Sequence, residues 1–215
     1  MKKISLIGMG YVGLPLAKAL QKYYTIVGYD KSYSRIKELI KGYDRNNQFT
    51  KKELSNCKRL FFTEESSYLN DTDIFIVTVP TPIYTNKSPD LRHLINACKL
   101  IGKKIKQNSI VIFESTVFPG CTESICGPII EKFSNKKVNK DFFLSYSPER
   151  INVGDKKNTL ENITKIVGAS NNKTLKTVSE VYSKIIKAGV YKCESIMIAE
   201  SAKAIENAQR DINIA

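Results

Sequence analysis

The chain has 215 residues, 42% hydrophobic and 26% charged, a composition that supports a packed core and excludes a fibrous or disordered polypeptide. No window approaches the roughly 18 consecutive apolar residues of a membrane span, and Gly8, Gly10 and Gly13 interrupt the run after Met-Lys-Lys too early for a signal peptide, so a cytoplasmic protein is expected. The formal net charge of +13 raises nucleic-acid binding, yet the lysine pairs at 2–3, 51–52, 103–104, 136–137 and 156–157 are dispersed and not interleaved with aromatics, which is the pattern of solvated faces. The five cysteines, Cys57, Cys98, Cys121, Cys126 and Cys193, form no CxxC pair, which argues against zinc and against a disulfide framework.

Ile4–Ile7 is a short apolar run ending in glycine, as expected of a buried parallel strand, and residues 11–22 follow with helical spacing. Thr25–Asp30 reads as the second strand. Ser32 is placed to cap a helix running to Lys41, with Gly42 at its stop. Residues 43–56 read as loop plus a short helix, Leu60–Phe62 as a third strand, and Ile74–Val79 as a fourth, closed by Pro80 and Pro82. A helix over 91–106, a strand at 109–113, a helix over 122–133 and a strand at 142–146 continue the alternation. Residues 163–167, 173–187 and 190–191 repeat strand, helix and strand. A last helix begins near Ser195 and carries no stop signal before Ala215, so a longer natural protein is expected. Strands alternating with helices of this length predict a Rossmann-like, doubly wound parallel α/β sheet over residues 1–194, with 195–215 as the start of a long central helix.

Gly8-Met9-Gly10-Tyr11-Val12-Gly13 matches G-x-G-x-x-G directly after a predicted strand and at the opening of a helix. Gly8 suits the tight turn, Gly10 lets the backbone approach a pyrophosphate, and Gly13 lets helix and strand pack closely. The helix N-terminus then presents amides and a partial positive charge to the anion. Asp30, about 20 residues on at the end of the second strand, stands where a ribose acceptor is needed, which favours NAD over NADP. Lys31 and Arg35 leave room for a phosphate nearby.

Val79-Pro80-Thr81-Pro82 after the fourth strand and Glu114-Ser115-Thr116-Val117 after the fifth put hydroxyls at the carboxyl edge, where open sheets bind ligands. Ser147-Pro148-Glu149-Arg150 follows the sixth strand. Its carboxylate could serve as a base and its arginine could grip a phosphate, and a plain surface Glu–Arg pair explains the residues equally well. Lys203, Asn207 and Arg210 fall on one helix face at i, i+4 and i+7, with Ala199, Ala202, Ile205 and Ile212 forming an apolar stripe for packing. A lysine beside an asparagine is a donor pair for an oxyanion, although spacing alone favours a solvated face.

Taken in order, residues 8–17, 79–82, 114–117, 147–150 and 202–211 resemble the UDP-sugar 6-dehydrogenase family over essentially the whole chain, most closely its UDP-N-acetylhexosamine branch, in which enzymes of surface polysaccharide biosynthesis belong. The resemblance implies a four-electron oxidation of the sugar C6 alcohol to the acid, with NAD as cofactor, a UDP-sugar as substrate, no metal, and a homodimer formed around the central helix. It implies that Gly8, Gly10, Tyr11, Val12, Gly13, Asp30, Arg35, Thr81 and Thr116 contact NAD. Glu149, Lys203, Asn207 and Thr116 would be catalytic, and Arg150, Ile151, Lys203, Asn207 and Arg210 would line the substrate. The family's nucleophilic cysteine and its UDP-gripping domain are expected downstream of residue 215, so the chain is expected to bind NAD without turning over sugar by itself. UDP-glucose oxidation, a β-hydroxyacid dehydrogenase and a non-catalytic dinucleotide-binding module are the competing readings.

Overall fold

Ile74–Val77 and Ser109–Phe113 are buried at every position, which leaves no polar face for solvent and makes them central strands of a sheet covered on both sides. The structure, a computed structural model, describes residues 2–150 and 160–214. Strands β1 (Lys3–Ile7), β2 (Thr25–Tyr29), β3 (Leu60–Thr63), β4 (Ile74–Val77), β5 (Ser109–Phe113), β6 (Phe142–Tyr146), β7 (Lys165–Ala169) and β8 (Val190–Lys192) form one sheet in the order β3-β2-β1-β4-β5-β6-β7-β8. The helices are α1 (Gly13–Leu20), α2 (Tyr33–Ile40), α3 (Lys51–Ser55), α4 (Arg92–Gly102), α5 (Gly127–Ser134), α6 (Asn172–Ser183) and α7 (Ile196–Ile214).

Strand residues alternate between the two faces. Ile4, Leu6, Ile74, Ile76, Ile110 and Ile112 pack in one apolar cluster with Leu14, Ala17 and Leu20 of α1, Ile36 and Leu39 of α2, and Val178 and Val181 of α6. Ile7, Phe75, Val77, Val111 and Phe113 pack in the other with Leu94, Cys98 and Ile101 of α4, Ile130 of α5, and Ile196 and Ala199 of α7. Each fully buried side chain of this size contributes about 1.5–3 kcal/mol. The order reverses at β1, which pairs with β2 on one side and β4 on the other, both in parallel. That reversal opens a crevice at the carboxyl ends of β1 and β4, the switch point at which such sheets bind ligands.

The expected Rossmann-like class holds, with differences at three places. β6 and β7 pair antiparallel, and β7 begins at Lys165, two residues later than its apolar pattern suggested. Lys165 sits inside a strand because carboxylates neutralise its ammonium, which periodicity does not reveal. The helix expected over 122–133 opens with a wider turn at Thr122–Cys126, held by the Glu200 carboxylate, which accepts hydrogen bonds from Gly120 N (2.5 Å) and Thr122 N (2.9 Å). The expected apolar stripe of the last helix packs only at its start: Ala199 is buried, whereas Ile205 and Ile212 are 66% and 75% exposed. No helix among the described residues is long and apolar enough to cross a membrane.

Candidate functional site

The glycine turn connects β1 to α1 in the geometry its sequence predicts. Gly8 adopts φ +104°, a region costly for other residues, and its N–H donates to Tyr29 O (2.8 Å). A methyl group on Gly13 would lie 1.9 Å from Gly8 O, so only glycine lets α1 meet the strand end so closely. Thr78, just past β4, donates its hydroxyl to Gly8 O (2.8 Å) and fastens the turn to the neighbouring strand. The first turn of α1 has no side-chain cap, which leaves its leading amides available to an anion.

Asp30 is the keystone of this half of the site. Its Oδ2 accepts from Met9 N (2.8 Å) and its Oδ1 from Ser32 N (2.9 Å), so one carboxylate ties the glycine turn to the start of α2. Ser32 caps α2 as expected, accepting from Arg35 N (3.3 Å). Arg35 is 5% exposed and braces the turn from beneath, donating from Nε to Met9 O (2.8 Å) and pairing with buried Asp44 (2.8 Å). Its Nη1 is buried with no hydrogen-bond partner, and its Nη2 meets Asp44 only as an ion pair.

Above the turn lies a cleft of about 440 Å³ lined by Gly8, Gly10, Asp30, Thr78, His93 and Asn96, among others. Its volume falls within the ordinary range for small-molecule sites, about 300–1,000 Å³. Another hollow, of about 480 Å³, is lined by residues of the 41–53 segment and by none of the glycine turn. The cleft fits a dinucleotide. A methyl on Gly10 would meet nothing within 4 Å, so the backbone there faces open space, and the Asp30 carboxylate borders the same space. Lys31 Nζ and His93 Nδ1 stand 3.2 Å apart at its rim. Tyr11 is 48% exposed beside the turn and accepts from Gln48 at its carbonyl (3.0 Å). Val12 occupies the N-cap position of α1.

Farther along the same edge, the loops after β4 and β5 are stitched together. Thr81 Oγ1 donates to Thr116 O (2.6 Å), and Ser115 Oγ donates to Val79 O (2.6 Å). Thr116 is exposed at this edge.

Glu149 lies beyond these loops, at the end of β6. Its Oε1 accepts from Arg150 N (2.6 Å) and its Oε2 from Lys165 Nζ (3.0 Å). The same ammonium donates to Glu114 Oε2 (2.9 Å) and Pro148 O (3.3 Å), and Tyr182 O–H donates to the other oxygen of Glu114. Burial works against the charge of Lys165, but Glu114 and Glu149 outweigh it and raise the pKa, so the ammonium stays protonated. Burial and the Glu114 carboxylate hold the Tyr182 phenol far above its usual range.

A second carboxylate, Glu206 of α7, gathers the cations of the distal motif. It lies 3.2 Å from Arg150 Nε, 3.6 Å from Lys203 Nζ and 3.4 Å from Arg210 Nη2. Asn207 is half-buried beside it. Ile151 lies outside the described residues. The arrangement thus brings Glu149, Arg150, Lys203 and Arg210 into one connected group. Lys165, Tyr182 and Glu206 complete it, together with Glu114, whose motif was read only for its hydroxyls. Glu206 was within reach of the sequence, three residues after Lys203 and four before Arg210. Lys165 and Tyr182 carry no local signal.

All five cysteines are buried and unpaired. Burial raises the Cys193 thiol, and a hydrogen bond to Cys126 and burial raise Cys121 far above the usual thiol range. Neither is a prepared nucleophile.

Comparison with known proteins identifies the lineage. Residues 2–186 match the model of the NAD-binding domain of the UDP-glucose/GDP-mannose dehydrogenase family. The chain is 50% identical over 213 residues to the UDP-N-acetyl-D-glucosamine 6-dehydrogenase of Salmonella typhi, covering 99% of this chain and 50% of that protein. It is 47% identical over 214 residues to Protein CapL of Staphylococcus aureus, covering 100% and 50%. Among solved structures, the UDP-D-ManNAc dehydrogenase of Pyrococcus horikoshii superposes with a TM-score of 0.92 at 28% identity, covering 99% of this chain and 51% of that one. The chain therefore spans about half the length of the curated relatives it matches. With a glycine turn, a carboxylate bordering the cleft beside it and a matching family model over residues 2–186, the chain belongs to the UDP-glucose/GDP-mannose dehydrogenase family, and it carries that family's NAD-binding domain.

Proposed function

We propose that this chain is the cofactor-binding half of an enzyme that oxidises the C6 alcohol of a UDP-N-acetylhexosamine to the uronic acid for surface polysaccharide biosynthesis. The observation that carries the reading is convergence on one sheet edge. The cradle of Gly8, Gly10 and Asp30 and the Glu149 carboxylate stand at the ends of β1, β2 and β6, with the stitched Thr81 and Thr116 loops between. The names of relatives near 50% identity support the hexosamine over UDP-glucose.

In this reading the amides of Gly10, Tyr11, Val12 and Gly13 receive the pyrophosphate. Asp30 receives the ribose hydroxyls and disfavours a 2′-phosphate. Arg35 acts from beneath the turn it braces, and Thr81 and Thr116 shape the nicotinamide end. NAD, when bound, supplies the hydride acceptor, and two equivalents of it with one water balance the conversion of alcohol to carboxylate. Glu149 takes the proton of the sugar hydroxyl or orients water. Lys203 and Asn207 donate to the oxygen on which negative charge develops. Arg150 and Arg210, with Ile151, line the sugar-diphosphate side.

Residues 1–194 act as the NAD-binding unit, and 195–215 begin a central helical domain about which two copies pair. The exposed Ile205, Ile212 and Ile214 support that pairing.

Calorimetric titration of the chain with NAD and NADP tests the first half of the reading, and NADH absorbance with UDP-GlcNAc and UDP-glucose, using the protein at its relatives' full length, tests the second. Binding of NAD in strong preference to NADP and turnover of UDP-GlcNAc are expected. No heat at saturating NAD would sink the reading, and turnover of UDP-glucose alone would redirect it.

A further inference from the structure

We propose that Lys165 is a positioning residue, whose ammonium, anchored from the core side by Glu114 and Tyr182, sets the orientation and the charge of the Glu149 carboxylate. The proposal rests on Glu149 being the acid–base group of the proposed reaction.

Its first support is saturation. An ammonium has three donors and no acceptor, and here each donor has an assigned acceptor: Glu114 Oε2 at 2.9 Å, Glu149 Oε2 at 3.0 Å and Pro148 O at 3.3 Å. Pro148 immediately precedes Glu149, so one nitrogen holds both the backbone and the side chain of the loop. The second support is cost. Lys165 and Glu114 are 4% and 3% exposed, and burying charged groups is expensive even when they are paired. A hydrophobic residue at this first position of β7 would serve packing equally well. The third is charge count. Two carboxylates share one ammonium, and of the two Glu149 is nearer solvent, at 11% side-chain exposure against 0% for Glu114, whose burial favours its neutral form.

Among the described residues, the titratable and charged groups around Glu149 come from four elements. Glu114 faces it from the end of β5, Tyr182 stands behind Glu114 on α6, and Tyr146 ends β6. Arg150 follows it directly and links it to Glu206, Lys203 and Arg210 of α7, while Glu200 of α7 is committed to Gly120 and Thr122. Removing the Lys165 cation leaves two carboxylates sharing a buried site, which favours protonation. Removing the charge of Glu114 has the opposite effect. A merely structural ion pair predicts loss of stability from either change, with no such opposition of sign.

The test is a carboxyl carbon-13 NMR titration of the 215-residue chain without cofactor, with the Glu149 resonance assigned through its loss in Glu149→Gln. The Glu149 midpoint is expected to rise by about one pH unit or more in Lys165→Met, to fall in Glu114→Gln, and to stay near the wild-type value in Lys165→Arg. In the full-length protein the acidic limb of the kcat profile should move the same way in each variant. A Lys165→Met protein that keeps its fold and an unshifted midpoint overturns the proposal. Should that variant not fold, an unmoved or raised midpoint in Glu114→Gln overturns it instead. Absence of NAD binding or of dehydrogenase turnover in the wild type removes the functional reading but leaves the midpoints readable, so the two failures are distinguishable.

Discussion

The two halves of the ligand edge are built by different means. From Gly8 to Arg35 the site is mainly backbone: amides at a helix start, a turn that tolerates no Cβ at Gly13, and one carboxylate, Asp30, bonded to two main-chain N–H groups. From Glu114 to Glu206 it is side chain on side chain, with Glu114, Glu149, Lys165, Tyr182, Arg150 and Glu206 drawn from distant parts of the chain. The first design binds a common anion and suits any dinucleotide enzyme. The second is specific in geometry and, in the proposed reading, serves the chemistry of one substrate class. Substitutions in the first half should therefore abolish cofactor binding through shape, whereas those in the second should act through charge and lost hydrogen bonds.

The largest effect is expected from Gly13→Val. Its Cβ would meet Gly8 O at 1.9 Å, and the backbone on both sides is fixed, the strand end by Thr78 and the helix by its buried face. Overpacking of this kind costs about 1–3 kcal/mol or more. The separation of β1 from α1 should also dismantle the amide cradle. Thermal unfolding should show a lowered midpoint, and calorimetry should show no NAD binding. A stable variant with wild-type affinity would show that the close approach is not what shapes the turn.

Glu200→Ala is the matching change in the second half. It strands the buried amide of Thr122, at about 1–3 kcal/mol for an unsatisfied group, and the half-buried amide of Gly120, and it releases the start of α7 from the loop after β5. Denaturant titration should show a loss of a few kcal/mol, with NAD affinity nearly unchanged because the cradle lies on other strands. Equal losses of stability and of NAD affinity would break the division between the halves.

The division also explains what could be read from sequence. The glycine turn, Asp30 and the Ser32 cap are local: spacing along the chain is spacing in space, so a motif carries its own geometry. The strands from β1 to β6 were legible for the same reason, since buried parallel strands are short unbroken apolar runs. The role of Lys165 was not legible: the strand expected over 163–167 contains it, but its two carboxylates, 51 and 16 residues away, meet it only in the fold. The antiparallel join of β6 to β7 was hidden for a related reason. Periodicity identifies a strand and carries no information about its direction. Glu200 was hidden because a carboxylate on a helix reads as solvated until the loop it holds is known. The solvated ends of Ile205 and Ile212 differ again: their spacing is apolar and helical, and nothing in the described residues covers them.

Asp30→Ala separates binding from folding within the first half. It removes a charged acceptor from two main-chain donors and, in the proposed reading, from the ribose; hydrogen bonds to charged groups are worth about 1.5–3 kcal/mol. NAD affinity should fall by roughly 10- to 100-fold, at about 1.4 kcal/mol per tenfold change. Asp30→Asn should fall between the two, because an amide oxygen can still accept from Met9 N. If NADP binds Asp30→Ala as tightly as NAD does, the carboxylate is the group that rejects the 2′-phosphate.

The smallest effect lies outside both halves, at the start of α3, and it bounds how far solvent-exposed charge matters in this molecule. Thr50 and Glu53 form a reciprocal cap, and Lys18 of α1 pairs with Glu53 at 2.9 Å. Thr50→Ala should cost about 1 kcal/mol, as cap losses do. The hydrogen bond from Lys18, followed by those from Thr50, lowers the Glu53 pKa to about 2. A carboxylate whose folded pKa is depressed stabilises the fold above its unfolded value, near 4.3, and that contribution is lost as pH falls through the folded value. Glu53→Gln should therefore differ from wild type in denaturant midpoint at pH 6, and the difference should shrink between about pH 4.3 and 2. Because the Glu53 side chain is 45% exposed, solvent screening keeps the pair weak, and added salt should reduce the difference further. A difference that persisted unchanged at pH 2 would assign the effect to the neutral cap bonds and remove charge from the account of this helix.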